Sequence, residues 1–251
     1  MTLLNRFFAQ LSTPQIAPPW SLIDALITLV ALALTMLLLG PTLALLLTGG
    51  DGMAVSPMTL LLGWGIGLGA AAAFTVFSRR RTREQWSALK LGAATQTRLP
   101  LPYLLLFAIG MMLLFDLIAA IGSGFRPVAV LTGIGAGGVN EWLLAGLFLV
   151  VIQPFAESLI FAGVVLPRLR ASLGPLVGMV ATCVLFGIFH AAVYGAALSG
   201  TALLWFGAVL PLLQGIFLCS VRVTTDSTRA TIVAYMGMGL VALLAALALV
   251  R

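Results

Sequence analysis

The sequence predicts an all-α, polytopic integral membrane helix bundle of about seven transmembrane helices, on three observations. The chain of 251 residues is 61% hydrophobic and 8% charged, with a mean hydropathy of +1.17, where a soluble domain carries roughly 25% charged residues. Seven stretches reach the about 20 mostly apolar residues that a spanning helix needs. The basic residues gather in short segments between those stretches, where they set orientation. The net charge of +6 has this origin, so nucleic acid is not expected as a partner and membrane lipid is.

Residues 1–20 read as an N-terminal cytoplasmic segment, and 21–251 as a single transmembrane domain. Pro14, Pro18 and Pro19 stand before the first apolar run, which continues past Leu47, so the first span is expected to be retained rather than cleaved as a signal peptide. Trp20 reads as an interfacial anchor, and Asp24 as an acid near enough to the span's end to reach the interface.

The spans are expected at Ser21 to Leu47, Pro57 to Phe77, Leu101 to Gly122, Trp142 to Leu166, Leu176 to Gly195, Thr201 to Val221 and Ala230 to Val250. In the second, Gly63, Gly65, Gly67 and Gly69 form two overlapping small-xxx-small pairs, which predict close packing against another helix. After it, Arg83 to Leu91 mixes Trp86, Leu89 and Leu91 with charges and suits a short amphipathic piece along the membrane surface. The run from Gly133 to Gly138 precedes the fourth span without the strand, lysine or hydroxyl of a phosphate-binding loop, and reads as a flexible connection. With the basic segments cytoplasmic, 11 of the 13 Lys and Arg residues lie inside and only Arg126 and Arg251 outside, which places the N-terminus in the cytoplasm and the C-terminus outside.

Three ionisable residues interrupt the apolar runs. Glu157 lies about ten residues, or ~15 Å, from the basic end of the fourth span, too deep for its carboxylate to reach water easily. His190, the only histidine, lies in the fifth span. Consecutive spans run antiparallel and pack as neighbours, so Glu157 and His190 can meet at one depth, where a carboxylate beside an imidazole can hold a water and take its proton. Asp116, midway through the third span, suits either pairing within the same cavity or an ion pathway. Gln153, one helical turn before Glu157, and Gln214 in the sixth span are further candidates for a polar role.

The two cysteines, Cys183 and Cys219, have no metal-knuckle spacing and read as small core residues. Zinc sites take three or four Cys, His or carboxylate ligands; one histidine leaves only a Glu157, His190, Cys183 set to draw, so no zinc and no other cofactor is expected.

The run from Ala156 to Gly163, followed by Leu166-Pro167-Arg168-Leu169, resembles the first motif of the CPBP family, the CAAX proteases and bacteriocin-processing enzymes also called the Abi family. That motif is normally Glu-Glu-x-x-x-Arg. The second motif, Phe-x-x-x-His, is matched by Phe186 and His190, and the resemblance covers about 142–250. It implies a CAAX-protease-like fold in which the first glutamate and this histidine prepare a water for attack on a peptide carbonyl, while a third-motif pair stabilises the oxyanion.

The chain departs from the pattern at four positions. Ser158 replaces the second glutamate and Ala162 the arginine, while Tyr235 and Gly239 stand where the third motif has its histidine and its asparagine or aspartate. The catalytic set implied by the resemblance is therefore Glu157 and His190, with Tyr235 as the remaining oxyanion donor and Ser158 at the second-glutamate position. Two readings follow: a pseudoprotease that keeps a cavity for a membrane-embedded or lipidated peptide, with Glu157 and His190 a buried structural pair, or an active intramembrane endopeptidase. A third, a small transporter, would favour a repeat between halves, and none is evident. The compact size and lack of an organelle signal point to a bacterial-style cytoplasmic membrane.

Overall fold

The computed structural model of the chain describes residues 3–48, 57–92, 100–123, 138–195, 198 and 200–250. Arg98, Arg126, Arg251 and residues 133–137 of the glycine-rich run lie outside them. Among the described residues no strand forms. The helices are α1 (Leu3–Ser12), α2 (Leu22–Leu47), α3 (Pro57–Arg79), α4 (Arg83–Ala88), α5 (Leu101–Ser123), α6 (Val139–Leu173), α7 (Pro175–Val193), α8 (Gly200–Thr225) and α9 (Thr228–Val250). Seven of these, all but α1 and α4, are long and apolar enough to cross a membrane.

Burial ranks them. The most apolar stretch of α6 is 67% buried, against 22% for α2 and α5, which makes α6 the central helix and leaves α2 and α5 at the periphery. The outer face of α2 shows Ile23, Ile27, Val30 and Leu38 to the surroundings, the arrangement expected when the solvent is hydrocarbon. α9 packs against α5, α6 and α8; α7 packs against α8 and the end of α6; and the α2–α3 pair docks on α6. The glycines of α3 divide by face. A side chain at Gly40 of α2 would collide with the Gly63 carbonyl, and Gly67 faces Thr35 and Met36, so Gly63 and Gly67 make the expected close crossing while Gly65 and Gly69 face elsewhere.

Prolines shape three of the spans at four places. Wide π-helical turns at Thr35–Leu39, Phe148–Ile152, Ser158–Val165 and Leu203–Val209 each end just before an X-Pro step, at Pro41, Pro154, Pro167 and Pro211. A proline offers no N–H and its ring crowds the carbonyl four residues back. The residue before each proline instead bonds five residues back, as in Gln153 N–H to the Phe148 carbonyl and Leu166 N–H to the Phe161 carbonyl. The wide turn absorbs Pro167, and α6 therefore continues to Leu173, past the expected end of the span at Leu166.

One end of the bundle is tied by buried cations. Arg170 donates to the carbonyls of Leu11, Thr13 and Pro175, which fastens α1 to the core. Arg79 bonds the Asp24 carbonyl and Thr28 and pairs with the Asp24 carboxylate, which also completes a capping box with Ser21. Trp20 is corrected here. It is buried, its indole N–H donates to the Val164 carbonyl at 3.2 Å, and the Arg79 guanidinium lies 5.5 Å from its ring, so it anchors to the protein rather than to the membrane interface. The predicted amphipathic piece forms as α4, capped by Thr82, with Leu89 just beyond it fully buried and Trp86 exposed.

Candidate active site

Glu157 sits on a single α-helical turn, Gln153–Glu157, held between two π-helical segments of α6. Its side chain is completely buried and both oxygens are occupied. Oε1 accepts from the Gln153 amide at 3.1 Å and from the Tyr194 hydroxyl at 2.8 Å. Oε2 accepts from the Tyr235 hydroxyl at 2.8 Å and lies 3.3 Å from His190 Nε2. A carboxylate has about four acceptor positions, and protein groups meet all of them here.

The hydrogens on His190 follow from its partners. The Phe186 carbonyl, 3.0 Å from Nδ1, can only accept, so Nδ1 carries a hydrogen. Tyr235 gives its hydroxyl hydrogen to Glu157 Oε2, so its oxygen, 3.3 Å from Nε2, is an acceptor toward the ring. The Nε2 to Oε2 contact therefore holds one hydrogen, on the imidazole or on the carboxyl. In either form the pair is neutral overall, which is how two ionisable groups persist in an apolar bundle. Phe186 and Phe189 pack around the imidazole, with ring centroids 4.2 and 5.5 Å away.

A cavity of about 150 Å³ adjoins this cluster. Gln153, His190, Tyr194 and Tyr235 form its polar wall, whereas Glu157 is not part of the lining. Glu157 lines a separate void of about 10 Å³ with Ser158, Ala162, Thr182, Cys219 and Thr231. That is about the smallest space, ~10 to 15 Å³, that holds one water. Two family departures, Ser158 and Ala162, thus bound the same small void. The buried Ser158 hydroxyl has no hydrogen-bond partner among the described residues and does not join the Glu157 cluster.

The third-motif positions behave differently from each other. Tyr235 reaches the cluster, one helical turn before Gly239 on the cavity wall. A side chain at Gly239 would collide with the Leu149 carbonyl, so the close approach of α9 to α6 excludes a larger residue there. Gln153, expected as a candidate for a polar role, donates its amide to Glu157. Tyr194 escaped the sequence reading, although its position one turn after His190 was the available signal. Asp116 and Gln214 both line the cavity, and the Gln214 amide donates to the Met112 thioether at 3.4 Å.

Among the described residues no three His, Cys, Asp or Glu side chains gather as a metal site. The Glu157, His190, Cys183 set is not assembled, and the Cys183 and Cys219 thiols are free and buried. The reading of the two cysteines as core residues agrees with this placement.

The family model for Rce1-like proteins, described as type II CAAX prenyl endopeptidase Rce1-like, matches residues 139–241. No curated protein and no solved structure matches the chain. The matched region runs from the start of α6 into α9 and contains Gln153, Glu157, His190, Tyr194, Tyr235 and Gly239.

Proposed function

We propose, from the match of residues 139–241 to the Rce1-like family model and from the occupied Glu157 carboxylate, that the chain is a pseudoprotease, an integral membrane protein that binds a membrane-embedded or lipidated peptide without efficient cleavage. The saturation of Glu157 carries the reading. A general base must accept a proton from a water within hydrogen-bond reach. Here a water would first have to displace Tyr194, Gln153, Tyr235 or His190, and Glu157 is not on the wall of the cavity a peptide would enter.

The oxyanion side supports the same reading. Removing one oxyanion donor typically lowers turnover ~10² to 10³ fold. The Tyr235 hydrogen is already given to Glu157, and Gly239 has no side chain to offer. The gathering of Arg79, Arg168, Arg170, Arg222 and Lys90 in segments that the positive-inside rule assigns to the cytoplasm supports an N-terminus inside and a C-terminus outside, in a bacterial-style cytoplasmic membrane.

Photocrosslinking tests the binding role. A benzophenone side chain at Phe206, on the cavity wall, is expected to capture single-span or prenylated peptides in nanodiscs, equally in the wild-type background and with Glu157→Ala. Failure to capture any such peptide would reject the proposal. A second reading, an active endopeptidase, is favoured by one observation: His190 Nε2 reaches both Glu157 and the cavity. Peptide cleavage that Glu157→Ala abolishes would establish it instead.

A further inference from the structure

The cavity has a second polar end that the family cluster does not use. Asp116 of α5 lines it, and so does Gln214 of α8, together with the thioether-bearing Met112. Asp116 lies outside the matched region. It takes no hydrogen bond and no ion pair from any described residue, while every other carboxylate-bearing group discussed above is paired within the protein.

The remaining wall tells what would satisfy it. Trp64, Phe148, Leu149, Phe206, Leu210 and Met238 make most of the surface apolar. Asp116 is thus the carboxyl group of the wall that no described residue pairs. Gln214 lines the same cavity and brings an amide oxygen as a further acceptor, while the Met112 sulfur already accepts the Gln214 amide N–H. An ammonium group has three hydrogens to give and no acceptor of its own. A cavity of ~150 Å³ is of the size that holds one ring-sized molecule, hence one side chain rather than a helix.

Resting on the reading that a membrane peptide occupies the cavity, we propose that Asp116 is a specificity-determining residue that selects a lysine side chain of that peptide, with Gln214 completing the ammonium's hydrogen bonds. An intramembrane acid persists where it meets a partner, and here the partner arrives with the ligand. A lysine within a spanning peptide needs the same pairing, so each group relieves the other.

The test uses the full-length protein in nanodiscs and four single-span polyleucine peptides that differ at one central position: lysine, norleucine, glutamine or glutamate. The lysine peptide is expected to bind about tenfold more tightly than the norleucine peptide, the low end of what desolvated charge pairs contribute at interfaces. Asp116→Asn should bring the two within about twofold of each other, and measurable binding of the norleucine peptide shows that the variant is folded. Asp116→Lys should invert the order so that the glutamate peptide binds best, a gain that loss of fold cannot imitate. If the norleucine peptide binds but lysine confers no advantage, or if the advantage survives Asp116→Asn, the role of Asp116 is overturned and the cavity reading stands. If none of the four peptides binds, both are overturned.

Discussion

At the residue scale, the behaviour of Glu157 follows from how many donors surround it rather than from its depth alone. Each partner contributes modestly, because the unfolded reference in a membrane also finds partners: side-chain hydrogen bonds between membrane helices average ~0.6 kcal/mol and reach ~1.7. Tyr194→Phe and Tyr235→Phe are therefore each expected to lower stability by ~1 kcal/mol, read as a shift of the unfolding midpoint in detergent. Glu157→Leu removes the acceptor that three donors and His190 share, so its loss should exceed either tyrosine change. Gly239 is a separate case. Restoring the family residue with Gly239→Asn places a side chain against the Leu149 carbonyl, and overpacking of this kind typically costs ~1 to 3 kcal/mol. The same measurement checks it: a variant as stable as the parent would show that α9 can move away from α6.

Legibility also divides by residue. Glu157 and His190 stood out because an acid and an imidazole in an apolar run are chemically conspicuous, and Gln153 followed from its helical spacing. Tyr194 did not stand out, because a tyrosine in an apolar stretch reads as an aromatic body and only its neighbours reveal where the hydroxyl points. Ser158 and Ala162 were visible as departures from a motif, but a small void between them belongs to packing and has no sequence signal. Trp20 was misplaced because a tryptophan at a span's end commonly sits at the interface, and the Val164 carbonyl and Arg79 that claim it come from distant parts of the chain.

At the scale of elements, the seven spans were legible from apolar length, but their internal geometry was not. The wide turns before Pro41, Pro154, Pro167 and Pro211 depend on a helix being held in place while it lacks a donor, which neighbouring helices permit in a bundle. Two of these turns flank Glu157, so the prolines fix where its carboxylate faces. The α2–α3 crossing was foreseen in kind, and the structure shows which glycines make it. Gly40→Val is expected to force α2 from α3 at the Gly63 carbonyl and to cost ~1 to 3 kcal/mol or more, while Gly69→Val, where a side chain meets nothing, should leave the unfolding midpoint near the parent's. Equal effects at the two positions would contradict this packing.

At the scale of the whole molecule, two regions do different work. The basic end is a clasp between elements distant in sequence: Lys90 and Arg222 both meet Asp226 at 2.9 Å, and the Thr228 N–H bonds the Lys90 carbonyl. Asp226 takes a left-handed backbone conformation between α8 and α9, which aspartate tolerates. Burial pushes its carboxyl up, but hydrogen bonds and charge from Lys90 and Arg222 outweigh that and hold it below the usual carboxylate range. A carboxyl with a depressed folded-state pKa contributes stability that is present above its unfolded value, ~3.9, and is lost as pH falls through the folded value. Thermal unfolding followed from pH 6 downward should show this loss below about pH 4, and Asp226→Asn should flatten it; an unchanged acid limb would remove the clasp from the account.

The other region is the site, where a cavity with His190 and Tyr235 on its wall lies beside a carboxylate already filled by the protein. In this arrangement Glu157 and His190 are in contact while protein donors take both oxygens of the carboxylate. The most direct measurement is peptide cleavage by the purified protein in nanodiscs, for wild type and Glu157→Ala side by side, with single-span and CAAX-type peptides. The account predicts that no product accumulates above the Glu157→Ala control while both proteins still bind peptide. Cleavage by the wild type that disappears in Glu157→Ala would contradict it and show that the Glu157 carboxylate opens to water.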